Sequence, residues 1–275
     1  MVVYNTILLH WKKFQKDFDK NLVQLQQRIN KEAIHDIRVA TKKLRALLDL
    51  YMLLKKEPEW KHLLIKTDNL FAVLGRYRDT EICLALTEVH EKDANCSYKE
   101  LKHYLHLLLK TTQAWANQEI HRYHKNELAK IALLLKQDES LTDRNKFSHD
   151  LKAIIYHHLS ETKKHFRQPH LVRKSLKDVY YWIPLLPDEN TPDLWDQKGL
   201  HDILNDLGNW QDNEILDLRI KHFRKDFVPK TFEEYPLLKD FQNKIKNHKK
   251  TLLKAANSKA RRWMKKVTEN EKSEV

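Results

Sequence analysis

The sequence contains little of what β-sheets, disulfide scaffolds and membrane spans require. It has only three glycines and seven prolines in 275 residues, so it lacks the turn residues that a many-stranded sheet needs. Cys83 and Cys96 lie among helix-forming residues and predict reduced thiols rather than a bridge. No apolar run approaches the ~18–20 residues needed to cross a bilayer, and the first residues lack a basic leader and a cleavage site. These absences predict an all-α, cytoplasmic protein with no membrane association.

What the sequence does have is an excess of positive charge. It contains 51 Lys and Arg against 38 Asp and Glu, a net charge of +13, together with 16 His. An excess of this size favours polyanionic partners but does not choose among them. The hydrophobic fraction of 41% is enough to fill the core of a chain this long.

Apolar spacing and helix-breaking residues predict about ten helices. The predicted helices cover residues 4–29, 31–56, 58–74, 79–91, 98–137, 143–166, 169–183, 192–207, 212–227 and 233–267. In this interpretation Gly75 ends the third helix, and Pro169 occupies a first helical turn. Polar residues around 137–144 mark a seam between two halves.

A short pattern of cations occurs twice. The first copy is His35, Arg38, Lys42 and Arg45, and the second is His170, Arg173 and Lys177. Steps of three and four residues place each copy along one face of a helix, beside an apolar stripe. No acid lies on this flank between positions 35 and 45, whereas an ordinary solvated face mixes bases with acids. The two rows predict a site for an extended anion, and a plain solvated face is the alternative.

A Leu-Gly-x-x-x-Asp element follows each copy, at residues 74–79 and 207–212. The two glycines are separated along the chain by almost the same distance as the two histidines. Two motifs that recur in the same order at nearly the same offset indicate an internal duplication, with halves at 1–140 and 141–275. Asp79 and Asp212 are expected to orient neighbouring bases or to cap the helix after the glycine. Metal ligation by these aspartates is the alternative.

Two further predicted helices carry bases at similar spacing. The C-terminal helix has Lys246, Lys250, Lys254 and Arg261, and the long helix of the first half has Lys102, His106 and Lys110. These bases either line the same anion site or are simply solvated, and the sequence leaves both possibilities open.

The repeated His-x-x-Arg-x-x-x-Lys/Arg pattern and its Leu-Gly-x-x-x-Asp companion resemble the CHAD family, the conserved-histidine α-helical domain, over residues from about 5 to 267. The resemblance implies two four-helix bundles related by a pseudo-two-fold axis, with long helices lining a basic central cavity. It implies non-catalytic binding of inorganic polyphosphate, which phosphate or sulfate would mimic. It also implies association with polyphosphate granules or regulation of polyphosphate metabolism, a triphosphate-tunnel enzyme as a partner, and no cofactor or metal.

Carried over residue by residue, the resemblance assigns polyphosphate binding to the two cation rows and to Arg76 and Arg78. The second half departs from the family pattern, because Tyr180 stands where an arginine is usual. Asn209 and Gln211 likewise replace the bases at 76 and 78. Binding is therefore expected to be stronger along the first half.

Two other functions remain open at this point. A nucleic-acid binder fits the net charge, but no helix-turn-helix, zinc finger or aromatic platform appears, so any such binding is expected to be non-specific. A metal-dependent polyphosphate hydrolase would use the His-Asp dipeptides at 35–36, 149–150 and 201–202. Adjacent helical residues point about 100° apart, however, and no His-x-x-x-His or Cys-x-x-Cys spacing supports them. The sequence therefore favours a binding protein over an enzyme.

Overall fold

The computed structural model describes residues 5–56, 62–124, 126–138, 143–186 and 195–271. Within these ranges the chain forms nine α-helices and no strand, as the composition predicts. The helices are α1 Thr6–Gln27, α2 Lys31–Lys55, α3 Ile65–Ala94, α4 Lys99–Arg122, α5 Asn126–Gln137, α6 Arg144–Lys163, α7 Pro169–Trp182, α8 Gln197–Asp226 and α9 Tyr235–Glu271. A 3-10 turn, Ile183–Leu185, continues α7.

Short polar side chains fix several helix starts. The Asn30 side chain accepts a hydrogen bond from the Ala33 amide at 2.7 Å, which caps α2. Asn5 caps α1 in the same way, and Pro169 occupies the first turn of α7 as predicted. The cation row of α2 therefore begins one turn after a well-defined cap.

Both glycines of the Leu-Gly elements lie inside helices, so the prediction that Gly75 ends a helix is wrong. α3 is continuous through Gly75, and α8 is continuous through Gly208. Both glycines keep ordinary negative φ angles, and a glycine inside a helix costs only about 1 kcal/mol. Packing of these long helices offsets that cost.

The prediction of one continuous helix over residues 98–137 is also wrong. The chain breaks between α4 and α5, because Tyr123 adopts extended backbone geometry with φ −72° and ψ 125°. Residues 57–61 and 187–194, where two predicted helices begin, lie outside the described residues, as do residues 139–142 of the predicted seam.

One continuous cluster of buried side chains includes residues from every described helix. The apolar stripe predicted for α1 is buried, as are the stripes of α2 and α7. The two predicted halves meet directly in this cluster, where the buried Trp182 indole of α7 donates to the Ala46 carbonyl of α2 at 2.7 Å. Contacts between α2 and α7 and between α3 and α8 join the halves further. The core thus holds α2 and α7, with their cation rows, against each other.

Some large apolar side chains lie on the surface of the bundle. Trp115 of α4 is 45% exposed. In the described part of the chain, no helix combines the length and the apolar character needed to span a bilayer.

Candidate anion-binding site

A cleft of about 530 Å³ lies between α2 and α7, with walls from the start of α3 and the middle of α8. Lys42 and Lys177 both line it, one from each His-Arg helix. Their amines are close enough to share a hydrogen bond. Two cations from opposite halves of the sequence are therefore neighbours across the cleft.

Arg38 is held against the backbone of α3 at Gly75. Its Nη1 donates to the Phe71 carbonyl at 2.8 Å, and a Cβ on Gly75 would lie only 2.5 Å from that nitrogen. Arg173 approaches Gly208 of α8 in the corresponding way, but more loosely, at 3.7 Å from a Cβ there. The glycines leave room for guanidinium groups, which is a different role from the predicted helix stop.

Asp79 and Asp212 lie within α3 and α8 rather than at helix starts, so a capping role is wrong for both. Asp79 faces the charge of Arg38, and Asp212 faces that of Arg173. Burial raises the pKa of each carboxyl, while the facing guanidinium groups oppose the shift. The prediction that these aspartates orient neighbouring bases agrees with this arrangement.

Phe71 is a central residue that the sequence reasoning missed. The guanidinium carbons of Arg38 and Arg45 lie 4.3 and 4.1 Å from its ring centroid, distances typical of cation–π contacts. Asp68 was missed as well, and its carboxylate pairs with Arg45 at 2.6 Å. Both residues precede Gly75 on one face of α3, at helical spacing. Arg45 therefore lines the cleft with much of its charge already neutralised.

The second half has an aromatic contact where the first half has this ion pair. When the two copies of the motifs are aligned, Tyr180 corresponds to Arg45, and His201 corresponds to Asp68. The rings of Tyr180 and His201 lie 5.7 Å apart. The substitution of Tyr180 for arginine is thus accompanied by a matching change on α8.

Burial weakens the charge of the lysine pair in the absence of an anion. Desolvation, followed by the charges of Lys177 and Arg38, lowers the pKa of Lys42 to about 6. Desolvation, followed by the charge of Arg173, lowers the pKa of Lys177 to about 8, and its hydrogen bond to Lys42 opposes the shift. Near neutral pH, the lysine pair therefore carries less than two full positive charges.

The two histidines lie at the edges of this region. His35 is exposed at the start of α2, and desolvation lowers its pKa, as do the charges of Arg78, Lys42 and Arg38. His170 lines the cleft and packs its ring 4.8 Å from that of Trp210. Each histidine therefore lies at the N-terminal end of its own cation row.

The two bases of the first Leu-Gly element, Arg76 and Arg78, point to different parts of the molecule. Arg78 lies near His35 and Arg38, and its guanidinium is 3.5 Å from Glu81. Arg76 is exposed and lies 5.9 Å from the Trp115 ring of α4, away from the cleft. Only Arg78 therefore contributes to the charge around the cation rows.

The structure does not bring the bases of α4 and α9 to this cleft, whose described lining comes from α2, α3 and its preceding turn, α7 and α8. Lys102 forms a 2.8 Å ion pair with Glu91, which joins α3 to α4. His106, Lys110, Lys250 and Lys254 are exposed on their helices. Arg261 stacks 4.0 Å from the Phe166 ring, and Lys246 lines a separate pocket beside α8.

Acidic and basic residues that the sequence reasoning did not select also line the cleft. Lys174 of α7 adds a cation, whereas Asp49 of α2 and Asp178 of α7 add carboxylates. Burial and the nearby charge of Asp49 raise the pKa of Asp178 to about 7. Lys174 lies three residues before Lys177, so helical spacing could have identified it. The proximity of Asp49 to Asp178 could not be predicted in this way, because it depends on the packing of α2 against α7. Over the described ranges, no group of three or more His, Cys, Asp or Glu could hold a metal ion.

Comparisons with known proteins agree with this fold. The family model for the CHAD domain matches residues 9–221, which include both His-Arg helices and both Leu-Gly elements. The crystal structure of the CHAD domain from the plant Ricinus communis superposes with a TM-score of 0.71 at 16% identity, covering 93% of this chain and 90% of that one. No curated protein sequence matches the chain. Because the family model matches well over half of the sequence, and the fold agrees, the chain belongs to the CHAD family.

Proposed function

We propose that the chain binds inorganic polyphosphate, without catalysing its cleavage, in the cleft between α2 and α7. One observation carries this proposal: Lys42 and Lys177, from the two His-Arg helices, line one cleft as neighbours. Arg38 and Arg173 add to the positive potential at this pair. Without an anion, burial and neighbouring positive charges lower the pKa of both lysines, and a phosphate group beside them would favour their charged forms.

Polyphosphate fits the chemistry of this cleft. It is a linear anion with no bases to recognise, so cations spaced by about one helical turn, about 5.4 Å, are sufficient to follow it. A guanidinium group can hold two phosphate oxygens at once, whereas an ammonium group acts as a point charge. The Arg173 Nε is buried and makes no hydrogen bond within the described residues. Arg173, which lines the cleft, therefore has a donor that the described part of the protein leaves unsatisfied.

We also propose that the fold derives from a duplication, with halves at 1–140 and 141–275 that form two pseudo-two-fold-related bundles around a basic cavity. Two arrangements support this proposal. In the first half Arg38 lies against Gly75 and is influenced by the charge of Asp79, and in the second half Arg173 lies near Gly208 and is influenced by the charge of Asp212. A shared origin explains why both sets occur in the same order along matching pairs of helices.

The cellular setting is proposed from the family resemblance. We expect a cytoplasmic protein that associates with polyphosphate granules or regulates polyphosphate metabolism, with a triphosphate-tunnel enzyme as a candidate partner. The binding role needs neither a metal nor a cofactor. Added Mg²⁺ or Mn²⁺ should therefore release no phosphate from polyphosphate in the presence of the protein.

A charge-reversal variant tests the binding proposal. Arg38→Glu with Lys42→Glu should lower the affinity for long-chain polyphosphate at least a hundredfold, since a charge-assisted hydrogen bond contributes about 1.5–3 kcal/mol and about 1.4 kcal/mol is tenfold. The matched control is Lys12→Glu with Lys20→Glu, two exposed positions on α1. It makes the same change in net charge. Affinity is measured by isothermal titration calorimetry, and helicity by circular dichroism. Equal losses in both variants would reject the cleft as the site.

Competition with nucleic acid separates the proposal from the alternative that the net charge allows. Long-chain polyphosphate should displace duplex DNA from the protein at a much lower total phosphate concentration than the reverse. A flexible chain can enter the cleft, whereas duplex DNA can contact only outer bases such as Lys250 and Lys254. If DNA displaces polyphosphate instead, the protein is a nucleic-acid binder.

A further inference from the structure

We propose a second phosphate-binding site in the pocket between the end of α8 and the start of α9, here called the α8–α9 pocket. Its volume is about 410 Å³, and five cations line it: Lys221, Arg224, Lys225, Lys230 and Lys246. This assignment does not depend on polyphosphate binding between α2 and α7.

The charge of the α8–α9 pocket is less compensated than that of the first cleft. No carboxylate is among the described residues that line it. The first cleft, in contrast, sets the carboxylates of Asp49, Asp68 and Asp178 beside its cations. Five like charges around one pocket repel one another unless an anion lies among them. The pocket therefore favours an anion that carries several charges.

Arg224 is the part of this pocket that is fixed in position. Its Nη1 donates to the Gln242 Oε1 at 2.5 Å, and its Nη2 donates to the Tyr235 hydroxyl at 3.1 Å. The buried Gln242 is anchored in turn, because its Nε2 donates to the Asp217 Oδ1 at 2.7 Å. The Arg224 Nε is buried and lacks a hydrogen-bond partner in the described part of the chain. The Nη1 and Nη2 atoms each carry a second N–H group, and a guanidinium group held in this way suits a tetrahedral oxyanion.

Stabilisation of the C-terminus of α8 accounts for only part of this cluster. Arg224 and Lys225 lie in the last turn of α8, where cations interact favourably with the helix dipole. Lys230 follows the helix, however, and Lys246 is contributed by α9. The macrodipole is equivalent to only about half a negative charge at the end of α8, so it cannot balance the five cations that converge on the pocket.

The α8–α9 pocket is separate from the first cleft. Gln211 of α8 lines the first cleft, and Arg224 lies several turns further along the same helix. A rise of about 1.5 Å per residue puts roughly 20 Å between them. The match to the family model ends at residue 221, so most of this pocket lies in a part of the chain that the family model does not cover.

The ligand that fits best is a short oligophosphate segment. Lysines at the rim supply point charges, and Arg224 supplies directed donors. Tyr235 is already occupied by Arg224, whose guanidinium carbon lies 4.8 Å from the ring centroid. Tyr235 is the single aromatic residue in the described lining, so recognition through phosphate groups is favoured over stacking of a nucleobase.

Titration of the full chain with inorganic tripolyphosphate tests this proposal. In a Lys42→Gln, Lys177→Gln background, which disables the first cleft, one tripolyphosphate should still bind per chain. Adding Lys221→Gln with Lys246→Gln should weaken that binding at least tenfold. Adding Lys12→Gln with Lys20→Gln, at exposed positions of α1, should leave it unchanged. All three proteins are compared by isothermal titration calorimetry.

Two results would overturn the second site. One is loss of all tripolyphosphate binding in the Lys42→Gln, Lys177→Gln background. The other is equal binding by the Lys221→Gln, Lys246→Gln variant and its α1 control. Neither result contradicts the proposal that polyphosphate binds between α2 and α7. Failure of the second site is therefore distinguishable from failure of the first. Because Lys221 and Lys246 are exposed, neither substitution disturbs the core, whereas Arg224→Gln would also break the contacts to Gln242 and Tyr235.

Discussion

The two His-Arg helices carry the same kinds of residue, but Arg173 lines the cleft whereas Arg38 packs against α3 and is not part of the lining. Arg38 donates to the Phe71 carbonyl and lies over Gly75, where a Cβ would come within 2.5 Å. Arg173 lies 3.7 Å from the position of a Cβ on Gly208. Leu204 stands where the first half has Phe71, so the second half lacks that aromatic platform. The first guanidinium is therefore held by more contacts than the second.

The outer ends of the two rows differ in charge. In the first half Arg45 is paired with Asp68, whereas the second half has Tyr180 beside His201. Both members of the pair have changed together, so neither half leaves a charge unpaired at this position. The comparison teaches that two copies of a sequence motif can keep their inner cations while their outer pair changes from ionic to aromatic.

The largest expected effect is on pH dependence, and it separates Lys42 from Lys177. An anion beside Lys42 raises its pKa from about 6, so binding takes up a proton when the pH lies above 6. The linkage relation then gives up to about a tenfold gain in affinity for each pH unit that is lowered. We therefore expect affinity for long-chain polyphosphate to rise steadily from pH 9 to pH 7.

Calorimetry in buffers of different ionisation heat measures this proton uptake directly. Lys42→Gln should remove most of the uptake at pH 7.5. Lys177→Gln should remove only part of it, because desolvation is the largest cause of the Lys42 shift and remains in that variant. The other charged or titratable groups that act with Lys42 are His35, Arg38, Arg173, Asp79 and Asp212. Equal uptake by wild type and Lys42→Gln would show that a different group takes up the proton.

The two glycines provide the next test of the difference between the halves. Gly75→Ala should displace the Arg38 guanidinium, since the added Cβ would lie 2.5 Å from its Nη1, and should weaken polyphosphate binding about tenfold, the loss of about 1.4 kcal/mol. Gly208→Ala meets only an ordinary 3.7 Å contact. It should leave binding unchanged and raise the free energy of unfolding by about 0.5–1 kcal/mol, because alanine favours a helix over glycine.

Titration with polyphosphate and urea denaturation measure both glycine variants. Equal effects of the two alanine substitutions on binding would mean that the close approach of Arg38 to α3 does not matter for the site.

The smallest expected effect comes from restoring the outer pair of the second half. Tyr180→Arg with His201→Asp would reproduce the Arg45–Asp68 pair at the equivalent positions. Because the added cation is neutralised by its new partner, the affinity for polyphosphate should rise only about two- to threefold, in line with the modest contribution of exposed ion pairs. Tyr180→Arg alone should give a larger increase. An increase in affinity above tenfold for the double variant would mean that the outer pair contacts the ligand strongly.

Local signals in the sequence predicted the secondary structure well where one helix face is continuously apolar. The stripes of α1, α2 and α7 are buried as predicted, because steps of three and four residues leave only one way to bury them. Gly75 and Gly208 misled the prediction, since a glycine marks a helix end in the absence of other information. The reason for these glycines, a guanidinium group on a neighbouring helix, is a contact between residues far apart in the sequence.

For the candidate site, the sequence identified some of the residues and missed others. The cation rows, and the expectation that Asp79 and Asp212 act on neighbouring bases, follow from spacing and repetition. Phe71, Asp68 and the carboxylates of Asp49 and Asp178 were missed, because their positions in the cleft depend on how α2, α3 and α7 pack. The bases of α9 carry the same spacing as the rows of α2 and α7, yet α9 packs mainly on α8, so its Lys246 belongs to a different pocket.

By itself, the sequence determined that this chain is helical, strongly basic and built on a repeated pair of motifs, because composition and spacing are properties of the chain alone. Only the tertiary structure decided which cations meet. The packing of α2 on α7 brings Lys42 to Lys177 and withdraws both from water, and that desolvation sets their charge. Proximity and burial of this kind arise from contacts between distant parts of the chain, which no local pattern encodes.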